Sequence, residues 1–190
     1  MMLGVPTFRL RIGVNNCRGW SVSKVLLALL ISAVGLGASS ADDEIRSDAL
    51  FHIERSKNAN IVQYDARVTS DGKLYGHRPV VAYWVRLAEQ GQIEKLSWLQ
   101  KTFSYGFDAH LGPEGYTAEL DMAVDFDRPI TVTRDGEDYR ALTVIDGEPA
   151  WLERIYVQSG RKGFSKSVEY IDLFGVSVRD GAERQERLNP

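Results

Sequence analysis

The chain has 190 residues, of which 44% are hydrophobic and 26% charged, so fibrous, collagen-like and wholly disordered proteins are excluded and one domain with a proper core is expected. Its 26 acidic side chains exceed its 23 basic ones, and four of those bases precede residue 42, which leaves 19 bases and a net charge of −7 beyond that point. This balance argues against a nucleic-acid partner, because a general nucleic-acid binder needs a basic face to neutralise phosphates.

The first 41 residues have the order of a secretory signal peptide. A basic segment without acids leads into the apolar run 25–37 and then into the small residues Ala-Ser-Ser-Ala41. The run is shorter than the roughly 20 residues that a membrane-spanning helix needs. We therefore predict a cleaved signal peptide at 1–41 and a protein exported to the periplasm or the cell exterior.

The single cysteine, Cys17, precedes the apolar run. It cannot carry the lipid of a bacterial lipoprotein, and it would leave with the signal peptide. The exported chain would then contain no disulfide and would depend on its hydrophobic core for stability.

The strand pattern begins after a polar leader at 42–49, and we predict a single β-rich domain over 50–178. A period of two, interrupted by turn residues, marks most of this domain. A polar tail at 179–190 is expected to be frayed. Strands are predicted at residues 50–56, 61–69, 79–87, 116–126, 130–134, 139–145, 151–158 and 166–178.

One helix is predicted between the third and fourth of these strands. Ile93, Leu96, Leu99, Phe103 and Phe107 recur at steps of three and four, which favours a helix from residue 93 to about 107. The fold class is therefore mainly β with one helix, a β-rich α+β protein. We expect an antiparallel meander that curls into a barrel or half-barrel.

Three segments of the sequence stand out together: Phe51-His-Ile-Glu-Arg-Ser-Lys-Asn-Ala-Asn-Ile-Val-Gln-Tyr-Asp65, Pro79-Val-Val-Ala-Tyr-Trp-Val85 and Ser104-Tyr-Gly-Phe107. They resemble an exported bacterial family known only as a domain of unknown function, number four-eight-three-three. The similarity covers roughly residues 51–178, and residues 53–60 are its most specific part. It implies a single domain and brings no catalytic residue, substrate or cofactor.

The first predicted hairpin concentrates polar side chains and is the best candidate site. Strand alternation places His52 and Glu54 on one face, where an imidazole and a carboxylate can share the hydrogen bond used by general bases. A solvated strand face with a simple Asn-rich turn explains the same residues. The alternative is a set of donors for an anionic ligand, formed by Arg55, Lys57, Asn58, Asn60 and, from the predicted helix, Lys101.

Metal and nucleophile motifs are missing from the sequence. The histidines at 52, 77 and 110 do not have metal-site spacing, and no Gly-x-Ser-x-Gly, phosphate-binding glycine loop or His-Glu-x-x-His occurs. We therefore predict no metal and no cofactor, and assign no catalytic residue beyond the candidates His52 and Glu54.

These observations favour a non-catalytic binding protein of the cell envelope. The expected partner is a small anionic or amphipathic ligand or an envelope protein, with at most peripheral membrane contact. One alternative is a hydrolase-type enzyme that uses His52 and Glu54 as an acid–base pair on an anionic substrate. Another is a structural component that docks through an unpaired sheet edge.

Overall fold

A computed structural model describes residues 45–56, 58–123, 128–162 and 165–189 of the chain. The predicted signal peptide, Lys57 and part of the predicted fourth strand lie outside these residues. The strands are β1 (Arg46–Arg55), β2 (Asn58–Val68), β3 (Val80–Arg86), β4 (Gln92–Lys95), β5 (Phe107–Leu111), β6 (Ala118–Met122), β7 (Ile130–Asp135), β8 (Asp138–Ile145), β9 (Glu148–Lys162), β10 (Ser165–Ser177) and β11 (Glu183–Leu188). A 3₁₀ turn at Leu87–Glu89, the short helix α1 at Trp98–Gln100 and a π turn at Lys101–Tyr105 complete the described elements.

Strand β9 joins two arms of one sheet. One of its edges pairs with β10, which in turn pairs with β11. Its other edge pairs antiparallel with β8 at residues 148–151 and parallel with β1 at residues 154–157. One arm continues from β1 through β2 and β3 to β4, and the other from β8 through β7 and β6 to β5. The sheet therefore forks at β9 and curls into a half-barrel.

The core lies between the two arms and is built from alternate residues of their strands. Phe51 of β1 stacks on Tyr64 of β2 with ring centroids 4.5 Å apart, and Tyr64 contacts Phe107 of β5 at 5.6 Å. Leu120 and Ile130 from the opposite arm are also buried. Each such side chain contributes about 1.5–3 kcal/mol through removal of apolar surface from water.

A buried carboxylate fastens β1 to the opposite arm. Asp48 accepts a hydrogen bond from the backbone N–H of Tyr139 on β8 at 3.0 Å, and Arg46 donates to it at 2.9 Å. The Tyr139 hydroxyl donates to the carbonyl of Gly72 at 2.9 Å. Removing one partner would leave a buried charge or polar group unpaired, which is costly.

The fold class predicted from the sequence is confirmed, but several elements differ. Only residues 98–105 of the predicted helix are helical, because residues 92–95 pair with β3 and residues 107–111 pair with β6. The segment expected to be a frayed tail contains β11, and the expected leader contains the start of β1. The parallel β1–β9 pair departs from a pure meander.

We predict that Gly175→Ala destabilises the protein by about 1–3 kcal/mol. An added Cβ would overlap the carbonyl oxygen of Trp151 and approach Cδ1 of Ile145 to 2.9 Å. The control is Gly76→Ala, where an added Cβ meets nothing within 4 Å. Urea unfolding of the two variants measures the difference, and equal midpoints would contradict the close approach of β10 to β9.

Candidate functional site

A cleft of about 980 Å³ opens between β3 and β5. Consecutive residues of each strand line it, residues 79–83 on one side and 107–109 on the other. Successive side chains of a strand point to opposite faces. Lining by every residue in turn indicates that the edges of both strands border the cleft, which also extends to residues 121–123 at the end of β6.

Among the described residues, none pairs with the first half of the β3 edge that faces the cleft. The Pro79 carbonyl accepts a hydrogen bond from the Arg67 N–H of β2 at 2.8 Å. This bond shows which residues of β3 point their backbone groups toward β2. In an antiparallel pair these residues alternate with those whose backbone groups face the other way. Val80 and Ala82 therefore face the cleft, and β4 pairs only with residues 83–86.

The outer edge of β5 is also unpaired among the described residues, since β5 is an end strand of the sheet. The Gly112 N–H donates to the Thr117 carbonyl and the Ala123 N–H donates to the Gly106 carbonyl, each at 2.8 Å. These two bonds show which residues of β5 point their backbone groups toward β6, and these residues alternate with the ones that point away. The residues whose backbone N–H and C=O groups point away from β6 are therefore Phe107, Ala109 and Leu111.

The cleft has an apolar floor and a charged rim. Val80 is buried, and Ala82, Phe107 and Met122 pack partly buried against the core. The rim carries charges of both signs, so it can contact polar groups while the floor contacts apolar ones. The charged residues that line the cleft are Arg78, Lys95, Lys101, Asp108 and Asp121.

The segment that leads from β4 to β5 is held in place at both ends. Leu96 and Tyr105 are buried, and the Tyr64 hydroxyl donates to the Tyr105 carbonyl at 2.7 Å. An added Cβ at Gly106 would overlap the carbonyl oxygen of Lys101, so only glycine fits where the π turn meets β5. These contacts anchor the wall of the cleft that this segment forms.

Two of the sequence-predicted donors lie on the inner side of the hairpin. The Arg55 guanidinium lies 4.8 Å from the ring centroid of Tyr105, which lines the cleft. Burial raises the pKa of Tyr105, and the positive charge of Arg55 opposes that rise. The Nε of Arg55 and the Oδ1 of Asn60 are buried without a hydrogen-bond partner among the described residues.

The other predicted donors are distributed differently. Lys101 lines the cleft. The Asn58 side chain accepts a hydrogen bond from the Asn60 N–H at 3.0 Å and so shapes the turn. Lys57 lies outside the described residues. Of the four predicted donors that the structure describes, Lys101 lines the cleft, whereas Asn58 takes part in the turn.

His52 and Glu54 form the expected pair on the outer side of β1. His52 Nε2 lies 3.2 Å from Glu54 Oε1, and Arg154 of β9 donates to Glu54 Oε2 at 3.3 Å. The Arg154 guanidinium lies 3.8 Å from the Phe174 ring centroid. None of these four side chains lines the cleft, and the group connects β1 to β9 and β10.

Sequence reasoning missed the cleft because it placed residues 93–107 in one helix. The signal that could have found β5 is the alternation of Phe107, Ala109 and Leu111 with polar Asp108 and His110. That short strand was hidden by the helical spacing that precedes it.

The described ranges contain neither a metal-binding cluster nor a membrane-spanning helix. No group of three or more His, Cys, Asp or Glu side chains there could hold a metal ion. Within the same ranges, no helix has the length and apolar character needed to cross a membrane.

The comparisons with known proteins identify the family. The family model described as Domain of unknown function (DUF4833) matches residues 51–187. The chain therefore belongs to this family. No curated protein and no solved structure matches the chain.

We predict that Tyr64→Phe lowers the free energy of unfolding by about 1 kcal/mol at pH 7, because it leaves the buried Tyr105 carbonyl without its donor. Tyr75→Phe is the control, since no hydrogen bond of its hydroxyl occurs among the described residues. Equal losses in both variants, measured by thermal unfolding, would contradict the role of the Tyr64 hydroxyl.

The same substitution should weaken the alkaline sensitivity of the protein. Burial raises the pKa of Tyr64 well above its ordinary value near 10. Above about pH 10 the unfolded chain releases the proton of the Tyr64 hydroxyl, while the folded chain keeps it. The stability of the folded state therefore decreases as the pH rises. We expect a smaller decrease in Tm from pH 9 to pH 11 for Tyr64→Phe than for the wild type, and an unchanged decrease would refute this assignment.

Proposed function

We propose that this protein is an exported, non-catalytic binding protein of the cell envelope that receives an extended segment of a partner polypeptide in its cleft. The observation that carries the proposal is that backbone groups of β3 and of β5 without a strand partner in the described part of the chain border the same cleft.

Backbone chemistry favours a polypeptide as the occupant. Free N–H and C=O groups along a strand edge need partners, and an added strand supplies donors and acceptors at the matching spacing. Peptide recognition by strand addition takes its affinity from these bonds and its specificity from pockets for alternate side chains. Here two edges could contribute bonds to one segment.

The lining of the cleft matches the two faces of such a segment. Alternate side chains would lie on the apolar floor around Ala82 and Phe107, and the others would meet the charged rim. The volume of about 980 Å³ is at the upper end of the roughly 300–1,000 Å³ typical of ligand pockets. A short amphipathic stretch of chain fits this description.

The proposal that the protein is exported is based on residues 1–41, which have the order of segments found in a signal peptide. Expression of the full chain in a bacterium and mass measurement of the exported product would show whether cleavage follows Ser40 or Ala41. If the uncleaved chain, with residue 1 still present, is found inside the cell, this part of the proposal is overturned.

The hydrolase alternative has less support. Glu54 interacts with both His52 and Arg154 on the outer side of β1, away from the cleft that could hold a substrate. A general base must lie within hydrogen-bond reach of the proton that it removes. The binding function therefore fits the geometry better.

The binding experiment uses residues 42–190 and a library of seven-residue peptides with apolar side chains at alternate positions, measured by fluorescence polarisation. For the tightest peptide, Ala109→Pro should weaken affinity by about tenfold, because proline removes a donor from the free edge of β5. The fold should survive, since the Ala109 N–H faces away from β6. Ala109→Ser keeps this donor and serves as the control.

Two outcomes would contradict strand addition. Unchanged affinity in Ala109→Pro would mean that the edge of β5 is not used. A cleft that binds decanoate, with no peptide bound, would be a site for small amphipathic ligands. Thermal unfolding of each variant separates loss of binding from loss of the fold.

A further inference from the structure

Exposed apolar side chains concentrate beside the cleft. Of the seven large hydrophobic residues exposed among the described ones, five lie between residues 87 and 103. We call four of them the apolar spur: Ile93 (65% exposed), Trp98 (73%), Leu99 (59%) and Phe103 (69%). Large apolar side chains that are exposed close together in the chain are typical of an interaction site.

The local structure keeps the spur outside the core. The Ser97 side chain and the Gln100 amide form a capping box that starts α1. Leu96 on one side of the segment and Tyr105 on the other are buried. Leu99 and Phe103 are four residues apart and so are neighbours on one helical face. The exposed side chains are therefore presented by an anchored element.

Two lysines beside the spur have no acidic partner among the described residues. Arg86 donates to Glu94 at 2.6 Å and to Glu89 at 2.8 Å, so this one base pairs with both nearby acids. Lys95 and Lys101 flank the spur, and neither forms an ion pair with a described residue. Two unpaired ammonium groups thus lie next to a group of apolar and aromatic side chains.

We infer that the apolar spur docks the protein on an anionic lipid surface. Aromatic side chains, tryptophan above all, favour the boundary between headgroups and acyl chains. Lysines beside an amphipathic element attract anionic headgroups. Apolar side chains with adjacent bases match this surface, whereas a purely apolar protein partner would leave both ammonium groups without counter-charges.

Docking would place the cleft at the lipid surface, because Ile93, Lys95 and Lys101 also line it. The inference does not rest on strand addition. Peptide affinity is measured without lipid and vesicle binding without peptide, so either proposal can fail alone.

The test is co-sedimentation of residues 42–190 with vesicles of phosphatidylethanolamine and phosphatidylglycerol, compared with phosphatidylcholine vesicles. We expect binding to the anionic vesicles that weakens as salt is added. Leu99→Ser with Phe103→Ser should lower binding by about tenfold, because two apolar side chains no longer enter the interface. The matched control is Leu111→Ser with Val178→Ser, two exposed apolar residues elsewhere.

Two further variants separate insertion from simple charge attraction. Lys95→Gln with Lys101→Gln should remove the preference for anionic vesicles. Trp98→Phe should keep most of the binding but lose the blue shift of tryptophan emission that vesicles cause in the wild type.

Three results would overturn the inference. One is absence of vesicle binding by the wild type, and another is equal binding by the Leu99→Ser/Phe103→Ser variant. The third is a wild-type dimer that this variant abolishes without any vesicle binding, which would assign the spur to contact between two copies of the chain.

Discussion

Two strands, β8 and β1, share one edge of β9, and the rest of the half-barrel depends on that shared edge. β8 occupies residues 148–151 and β1 occupies residues 154–157. Neither strand can continue along β9 past the other, so β8 and β1 separate. The strands paired with each of them form the two arms of the sheet. The bond from Tyr139 to Asp48 joins the diverging strands. The arms end at β4 and β5, and the cleft lies where the sheet stays open.

Much of the strand content follows from local sequence. Ala118 and Leu120 alternate with acidic residues, and the Asp-Gly turns at 135–136 and 146–147 join neighbouring strands. These signals act over a few residues and are read from the chain directly. The parallel contact between β1 and β9 is different, because it joins residues such as Glu54 and Tyr156 that are distant in sequence. No local pattern specifies that pairing.

The helix prediction shows a limit of hydrophobic periodicity. Residues 93, 96, 99 and 103 have helical spacing, but only Leu96 is buried, and the other three are largely exposed. Spacing identifies apolar residues that could share a face, and it cannot tell a core face from a surface patch. The pairing of residues 92–95 with β3 then outweighed helix formation. The joint action of Arg55 and Lys101 stays a prediction: Lys101 lines the cleft, and Arg55 contacts Tyr105, which also lines it.

The cleft and the apolar spur have complementary roles in the proposed function. The edges of β3 and β5 would offer backbone hydrogen bonds to a segment of any sequence, and the floor and rim would select among segments. The spur would hold the open side of the sheet at a surface. A protein built in this way would bind an extended chain next to a membrane without any catalytic group.

Amide hydrogen exchange in residues 42–190 without a ligand tests the central claim most directly. In β3, the N–H groups of Val80 and Ala82 should exchange fast, while those of Val81 and Tyr83, which bond to β2, should be protected. In β5, Ala109 should exchange fast and His110 slowly. Uniform protection of all these amides would mean that the edges are already paired, and it would contradict strand addition in the cleft.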